Sequence, residues 1–361
     1  MNSFKIGDIT IPVPIIQGGM GIGISLSRLA SAVANMGGVG VISSVGIGLI
    51  DSNSIKNYRK SNIEAIRKEI KKARKQTLGV LGVNIMTVLT NFSDMVRTSI
   101  EEGIDIIFSG AGLPLDLPKY LKRDSKTKLV PIVSSGRAAS IIFNKWKQNF
   151  DYLPDAYVVE GPNAGGHLGF KPDEIKNKKN DLELLVSEVL EVTEDIKARF
   201  NKNVPVIAAG GIYSGDEIYK LIKKGASAVQ LGTRFVVTEE CDASIEFKEA
   251  FIKAVESDIR IIKSPVGLPG RTIFNKFLQE ADEGKRKPEF CRYNCIKSCN
   301  PKTTSYCIAD ALFQAYKGNL ANGFVFTGIN AGRVSEISTV KKIFAELIAE
   351  YKKAKDNRKD D

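Results

Sequence analysis

The sequence predicts an α/β protein organised as a (β/α)8 (TIM) barrel, and three observations carry that prediction. Eight short β-rich runs recur between residues 14 and 235. Most of them are continuous apolar runs, the pattern of parallel strands buried on both faces. Stretches of helical periodicity separate them. The candidate strands are 14–19 (PIIQGG), 38–44 (GVGVISS), 81–86 (LGVNIM), 104–110 (IDIIFSG), 129–135 (LVPIVSS), 156–161 (AYVVEG), 205–211 (PVIAAGG) and 228–235 (AVQLGTRF). A doubly wound open sheet is the rival reading, because periodicity does not show whether the first strand meets the last.

The connecting elements follow in order. After the first strand, SLSRLASAVANM reads as a helix ended by the turn-forming NMGG. Residues 29–50 carry no charge and by length alone match a bilayer span. Recurrent glycine and the change from helical to strand-like spacing make them a buried helix, turn and strand instead. The stretch 56–75 (KNYRKSNIEAIRKEIKKARK) puts Ile63, Ile66, Ile70 and Ala73 at helical spacing, so its basic residues form a solvent face. Much of the formal charge of +11 lies there and in the final lysine-rich segment. No interleaving of aromatic and basic residues and no reader motif points to nucleic acid. GRAASIIFNKWKQ and SGDEIYKLIKKGA are the later helices. In the second, Ser214 is the N-cap, Asp216 and Glu217 occupy the first turn, and Gly225 stands at the end.

Beyond residue 240 the βα alternation stops. Residues 241–335 read as a helical, loop-rich insertion or lid on the substrate side of the molecule. The amphipathic helix expected over 338–355 returns to close the barrel, so the barrel comprises 1–240 and 336–361. The beginning MNSFKIGDITIP has no basic region followed by an apolar core. Cys241, Cys291, Cys295, Cys299 and Cys307 are odd in number, which fits reduced thiols in a cytoplasmic protein.

In a parallel barrel the chemistry sits at the C-terminal ends of the strands. Here those ends are rich in small and polar residues: Gln17 to Gly21, Ser43 and Ser44, Asn84, Ser109 to Gly112, Ser134 to Gly136, Gly210-Gly211 and Gly232-Thr233. The last two follow strands seven and eight, the usual phosphate-binding position of such barrels. Glycine there permits close backbone approach and positive φ. The chain's one histidine, His167, lies in the loop EGPNAGGHLGF (160–170) just after strand six, on the same face. An imidazole aimed at a ligand cavity is suited to proton transfer near neutral pH.

Taken together, PIIQGGMG, LGVNIM, EGPNAGGHLGF, PVIAAGGI and VQLGTRF resemble the nitronate monooxygenase (2-nitropropane dioxygenase) family of FMN-dependent barrels, which also includes FMN-containing enoyl-acyl-carrier-protein reductases. The resemblance covers about residues 10–240. It implies that Gln17, Gly18, Gly19 and Met20 line the flavin ring, that Asn84 contacts the isoalloxazine, and that Gly165 and Gly166 lie along it. It places Gly210, Gly211, Gln230, Gly232 and Thr233 around the ribityl phosphate. His167 matches the active-site histidine and is the catalytic candidate. The implied activity is FMN-dependent oxidation of alkyl nitronates, and of nitroalkanes where His167 serves as base, by O2 to carbonyl compounds and nitrite. The alternative is an NAD(P)H-dependent enoyl-thioester reductase. A flavin- or nucleotide-binding sensor is a third reading, which the histidine loop opposes. The implied partners are a small-molecule substrate and O2, with no nucleic acid and no membrane; association as a homodimer is left open.

Two departures stand out. Glu160 occupies a position where the family often has glutamine, next to a cofactor that becomes anionic on reduction. The segment CRYNCIKSCNPKTTSYC has a C-x3-C-x3-C-x7-C spacing, unlike the usual zinc pairs or common cluster-binding runs. On a helix, Cys291, Cys295 and Cys299 would share one face as packing residues. No residue is assigned as a metal ligand, with a metal or iron–sulfur site as the alternative for these thiols.

Overall fold

The computed structural model describes residues 1–51 and 57–357. Lys56, the first residue of the expected basic helix, and the terminal residues 358–361 lie outside the described residues. An N-terminal hairpin, β1 (Phe4–Ile6) and β2 (Ile9–Ile11), leads into the first barrel strand. Its Ile6 and Ile11 are fully buried and pack against the inward side chains of the barrel. Asp8 in its turn pairs with Lys128 at 2.6 Å, which places the hairpin across the N-terminal end of the strands.

The barrel strands are β3 (Ile15–Gln17), β4 (Gly40–Ser43), β5 (Leu81–Met86), β6 (Ile106–Gly110), β7 (Lys128–Val133), β8 (Tyr157–Glu160), β10 (Val206–Ala209) and β11 (Ala228–Leu231). The short strand β9 (Gly166–His167) lies outside this sheet. The eight strands are parallel, in the order β3-β11-β10-β8-β7-β6-β5-β4. A parallel bridge between Ile16 and Val39 joins the two ends, with Gln17 N–H donating to Val39 O at 3.0 Å. The sheet is therefore a barrel, and the open doubly wound alternative falls. Its interior is a separate cluster containing Ile16, Val41, Phe108, Val130, Val158 and Ile207. A larger cluster fills the layer between strands and helices.

The helices of the outer layer are α1 (Ser27–Asn35), α2 (Tyr58–Gln76), α3 (Phe92–Glu101), α4 (Gly136–Phe150), α5 (Leu182–Phe200) and α6 (Gly215–Lys223). The β6–β7 connection departs from the alternation and has one 3-10 turn, Leu117–Tyr120. Pro114 and Pro118 account for it, since proline removes helical donors and clashes with the preceding turn. The uncharged stretch 29–50 is α1, a turn and β4, and no helix among the described residues is long and apolar enough to cross a membrane. In α2, Ile66, Ile70 and Ala73 are buried and Ile63 half-buried. Its basic face is paired: Arg67 meets Glu102 at 2.6 Å, and Arg74 meets Asp105 at 2.6 Å. Ser214 caps α6 in a capping box with Glu217.

After β11 come α7 (Thr233–Val236), α8 (Ile245–Lys253), β12 (Ile259–Lys263), β13 (Pro269–Ile273), α9 (Lys276–Asp282), α10 (Ile308–Tyr316), β14 (Val325–Phe326) and α11 (Val340–Asp356). The closing helix α11 packs on α6, where Gly215 N–H donates to Glu350 Oε2 at 2.6 Å. A Cβ on Gly215 would lie 2.3 Å from Leu347 O, so only glycine permits that approach. Residues 241–335 combine helices with a small antiparallel sheet. In it β13 pairs with β12, with β14 and with β9 from the loop after β8.

The cysteine segment is not helical. Residues 289–306 contain no helix, and Pro288 and Pro301 bracket the run. Residues 294–298 instead form a strap bonded to the loop after β5. Thr90 N–H donates to Cys295 O at 3.1 Å, and Lys297 N–H donates to Val88 O at 2.9 Å. Cys291 is exposed, Cys295 buried, and Cys299 and Cys307 half-buried; all five cysteines are free thiols. Among the described residues no group of three or more His, Cys, Asp or Glu side chains is placed to hold a metal ion.

Candidate active site

The C-terminal ends of the barrel strands open into a cavity that Phe247, Phe251, Leu312 and Phe326 to Asn330 also line. Gly19 and Met20 form its edge beside β3. Asn84 from β5, Glu160 from β8 and Gln230 from β11 project into it. Gly165, Gly166 and His167 supply one wall, and Gly210, Gly211, Gly232 and Thr233 another. Gln17 and Gly18 do not line it. Gln17 is fully buried; its side-chain oxygen accepts from Val41 N–H at 3.0 Å and its amide donates to Gly18 O. Gly18 N–H donates to Leu231 O at 2.8 Å. Both residues hold strands together at the barrel seam.

The wall after strand seven needs glycine. Gly210 has φ +96° and Gly211 φ +82°, and a Cβ on Gly211 would stand 2.7 Å from Asn163 Cβ. Gly232 has φ −114°, open to any residue, and a Cβ there would meet only Met20 Sδ at 3.5 Å. Its small size keeps the cavity open.

His167 is held by register. β9 pairs with β13 so that His167 lies opposite Gly270 and Gly166 opposite Arg271. Leu168 N–H donates to Pro269 O at 2.9 Å. The ring packs 4.9 Å from that of Phe326, and Nε2 lies 2.7 Å from Ser264 Oγ in the β12–β13 turn. Nε2 is thus committed to Ser264, leaving Nδ1 for a ligand. If Nε2–H donates to Ser264, Nδ1 keeps a lone pair; if the hydroxyl donates, Nδ1 carries the hydrogen. Burial lowers the imidazole pKa to about 4, so His167 is neutral at neutral pH.

Arg271 secures the same loop from behind. It is buried, and its guanidinium donates to Pro162 O at 2.8 Å and Ala164 O at 2.5 Å. Burial lowers its pKa to about 10, which still leaves it charged. Arg271→Met should leave both carbonyls without that donor and destabilise the protein by about 2–4 kcal/mol. Urea unfolding measures this, and a change below about 0.5 kcal/mol would show that the loop is held otherwise.

Glu160 is the acid of the cavity. Burial pushes its carboxyl pKa up to about 7. No lysine or arginine lines the cavity among the described residues.

Several lining residues were not visible in the sequence. Phe247 and Phe251 come from α8, Leu312 from α10, and Phe326 to Asn330 from β14 and the turn after it. Asn330 donates to Gly211 O at 2.8 Å. The run FVFTG (324–328), β-rich and ended by glycine like the barrel strands, was the available signal for that turn. Ser264 and Arg271 carried none, because each acts through a partner about a hundred residues away.

The family described as "Nitronate monooxygenase" matches residues 2–350. A probable nitronate monooxygenase of Staphylococcus aureus strain MSSA476 is 27% identical over 303 residues, covering 76% of this chain and 79% of that protein. One from Staphylococcus saprophyticus is 27% identical over 301 residues, covering 77% and 80%. Among solved structures, FabK from Thermotoga maritima superposes with a TM-score of 0.73 at 29% identity, covering 96% of this chain and 94% of that one. The nitroalkane oxidase of Streptomyces ansochromogenes superposes with a TM-score of 0.74 at 21% identity, over 96% and 98% of the two chains, and shows likeness of fold. The closed barrel, the glycine-walled cavity and the family match over nearly the whole chain lead to one assignment: the chain belongs to the nitronate monooxygenase family of oxidoreductases.

Proposed function

We propose that the protein binds FMN in this cavity and oxidises alkyl nitronates with O2 to carbonyl compounds and nitrite. The residues present fit the cofactor. Ser43 Oγ lines the cavity, buried and without a hydrogen-bond partner among the described residues, which is an unmet site for a polar ligand. With no cation in the lining, the phosphate would be held by backbone N–H groups around Gly211 and Gly232 and by the Thr233 hydroxyl. Asn84 and Gln230 would hold the ring edges, and Gly165 and Gly166 would lie along its plane. FMN, when bound, supplies two-electron redox chemistry.

The enclosed placement of His167, with Nε2 engaged by Ser264 Oγ at 2.7 Å, supports the choice of substrate. A base with a pKa near 4 is badly matched to removing a Cα–H proton at neutral pH. A nitronate has already lost that proton, so it needs orientation only. Nδ1 of His167 supplies that orientation, while Phe247, Phe251 and Phe326 keep water from the alkyl side of the cavity. The free thiols fit a reducing, cytoplasmic setting.

Anaerobic mixing of the FMN-loaded protein tests this reading. Propyl nitronate should bleach the flavin absorbance within seconds, admitted O2 should restore it, and nitrite should accumulate over the completed cycle. Bleaching by NAD(P)H and not by nitronate would move the assignment to an enoyl-thioester reductase. Bleaching by neither would remove the redox reading.

A further inference from the structure

The strand-six acid is the one cavity group that the family resemblance leaves unexplained. Glu160 ends β8, and its backbone is fixed in the barrel ladder opposite Ala209. Ala209 also registers with Gln230 on the far side of β10, so both side chains leave the sheet on the same face. No hydrogen bond or ion pair to the Glu160 carboxyl is found among the described residues. The titratable groups lining the cavity are Glu160 and His167, and the nearest buried guanidinium, Arg271, is turned to the carbonyls of Pro162 and Ala164. A carboxylate there would share the cavity with an imidazole, three amides and three hydroxyls, with no cation among the lining residues to offset its dehydration.

We propose that Glu160 works as a neutral carboxylic acid that donates a hydrogen bond to the bound cofactor, and that its ionisation weakens the site. The proposal rests on the FMN reading above and deepens it. A protonated carboxyl is the nearest ionisable equivalent of a glutamine amide, with one donor and one acceptor. Unlike the amide, it becomes an acceptor-only anion when it ionises. That anion would repel electron density at the neighbouring ring and the cofactor's own negative charge. The raised carboxyl pKa of about 7 agrees with this placement.

The test compares holoenzymes of the wild type, Glu160→Gln and Glu160→Ala between pH 6 and 8.5. The FMN dissociation constant of the wild type should rise about thirtyfold across that range, as the neutral fraction falls tenfold per pH unit above the pKa. Glu160→Gln should bind like the wild type at pH 6 and change less than about twofold with pH. Glu160→Ala, lacking the donor, should bind weakly at every pH. A pH-independent wild type, or an alanine variant that matches glutamine, would overturn the donor role.

A second readout needs no flavin. The carboxyl pKa is raised on folding, so its contribution is complete below the unfolded value and is lost as pH rises through about 7. Glu160→Gln should therefore leave Tm nearly unchanged at pH 4 and raise it at pH 8. If FMN fails to bind at all, this difference still decides the protonation state. Equal Tm differences at both pH values would refute it.

Discussion

Gly232→Val is expected to lower FMN affinity by roughly 5- to 150-fold while the barrel stays folded. The new side chain enters the cavity beside Met20 Sδ and clashes with nothing else nearby. Overpacking a filled site costs about 1–3 kcal/mol, which gives that range. The backbone at φ −114° accepts a β-branched residue, so any loss reads as exclusion of ligand. Gly211→Val is the harsher variant, because φ +82° and the 2.7 Å approach to Asn163 Cβ strain the fold itself. Equilibrium dialysis with FMN, beside Tm in the absence of added flavin, separates the two effects. Full retention of flavin by Gly232→Val would mean that the phosphate lies elsewhere.

His167→Asn should divide two activities. Turnover of neutral nitroalkanes should fall by about 10²-fold, the lower end of what a positioned base contributes, because the base is weak. Nitronate oxidation should fall less than about fivefold, since no proton has to be removed. In the wild type, the acid limb of nitroalkane turnover should lie near pH 4, and the rate should not change with His167 ionisation above about pH 6. Initial rates of nitrite release with both substrates measure the split. Equal losses with FMN retained would make His167 a substrate-orienting or charge-stabilising group in both reactions. A limb near the ordinary imidazole value would show that the ring is better hydrated than its packing implies.

The parts legible in the sequence were those written locally. The strands announced themselves as apolar runs, each found within four residues of its place; the largest miss is the end of the eighth, where Thr233–Val236 is the helix α7. Ser214, Glu217 and Gly225 marked α6 because a cap is a contact between near neighbours. The histidine loop was placed on the cavity face once strand six was known. Gln17 and Gly18 were grouped with the cavity by motif likeness along the chain, whereas their hydrogen bonds in the fold join strands at the barrel seam. The expected helical face of Cys291, Cys295 and Cys299 failed for a related reason. Backbone pairing of the strap with Val88 and Thr90 overrides a spacing that only suits a helix. The low imidazole pKa and the raised carboxyl pKa were not readable, since dehydration depends on residues that fold over the site from elsewhere.

The pairing of β9 with β13 also sets the order in which the molecule matures. His167 and Ser264 are 97 residues apart, Arg271 lies 109 residues beyond Pro162, and Asn330 lies 119 beyond Gly211. At about 5–20 residues per second on the ribosome, the histidine loop emerges roughly 5–20 s before the turn that orients it. Long-range pairing of this kind also closes slowly once all of the chain is present. During that interval the nascent chain carries its strand ends and glycine turns with the imidazole unplaced. A chain that stops before Ile259 would keep that immature state permanently, because Ser264, Pro269, Gly270 and Phe326 all lie beyond the break.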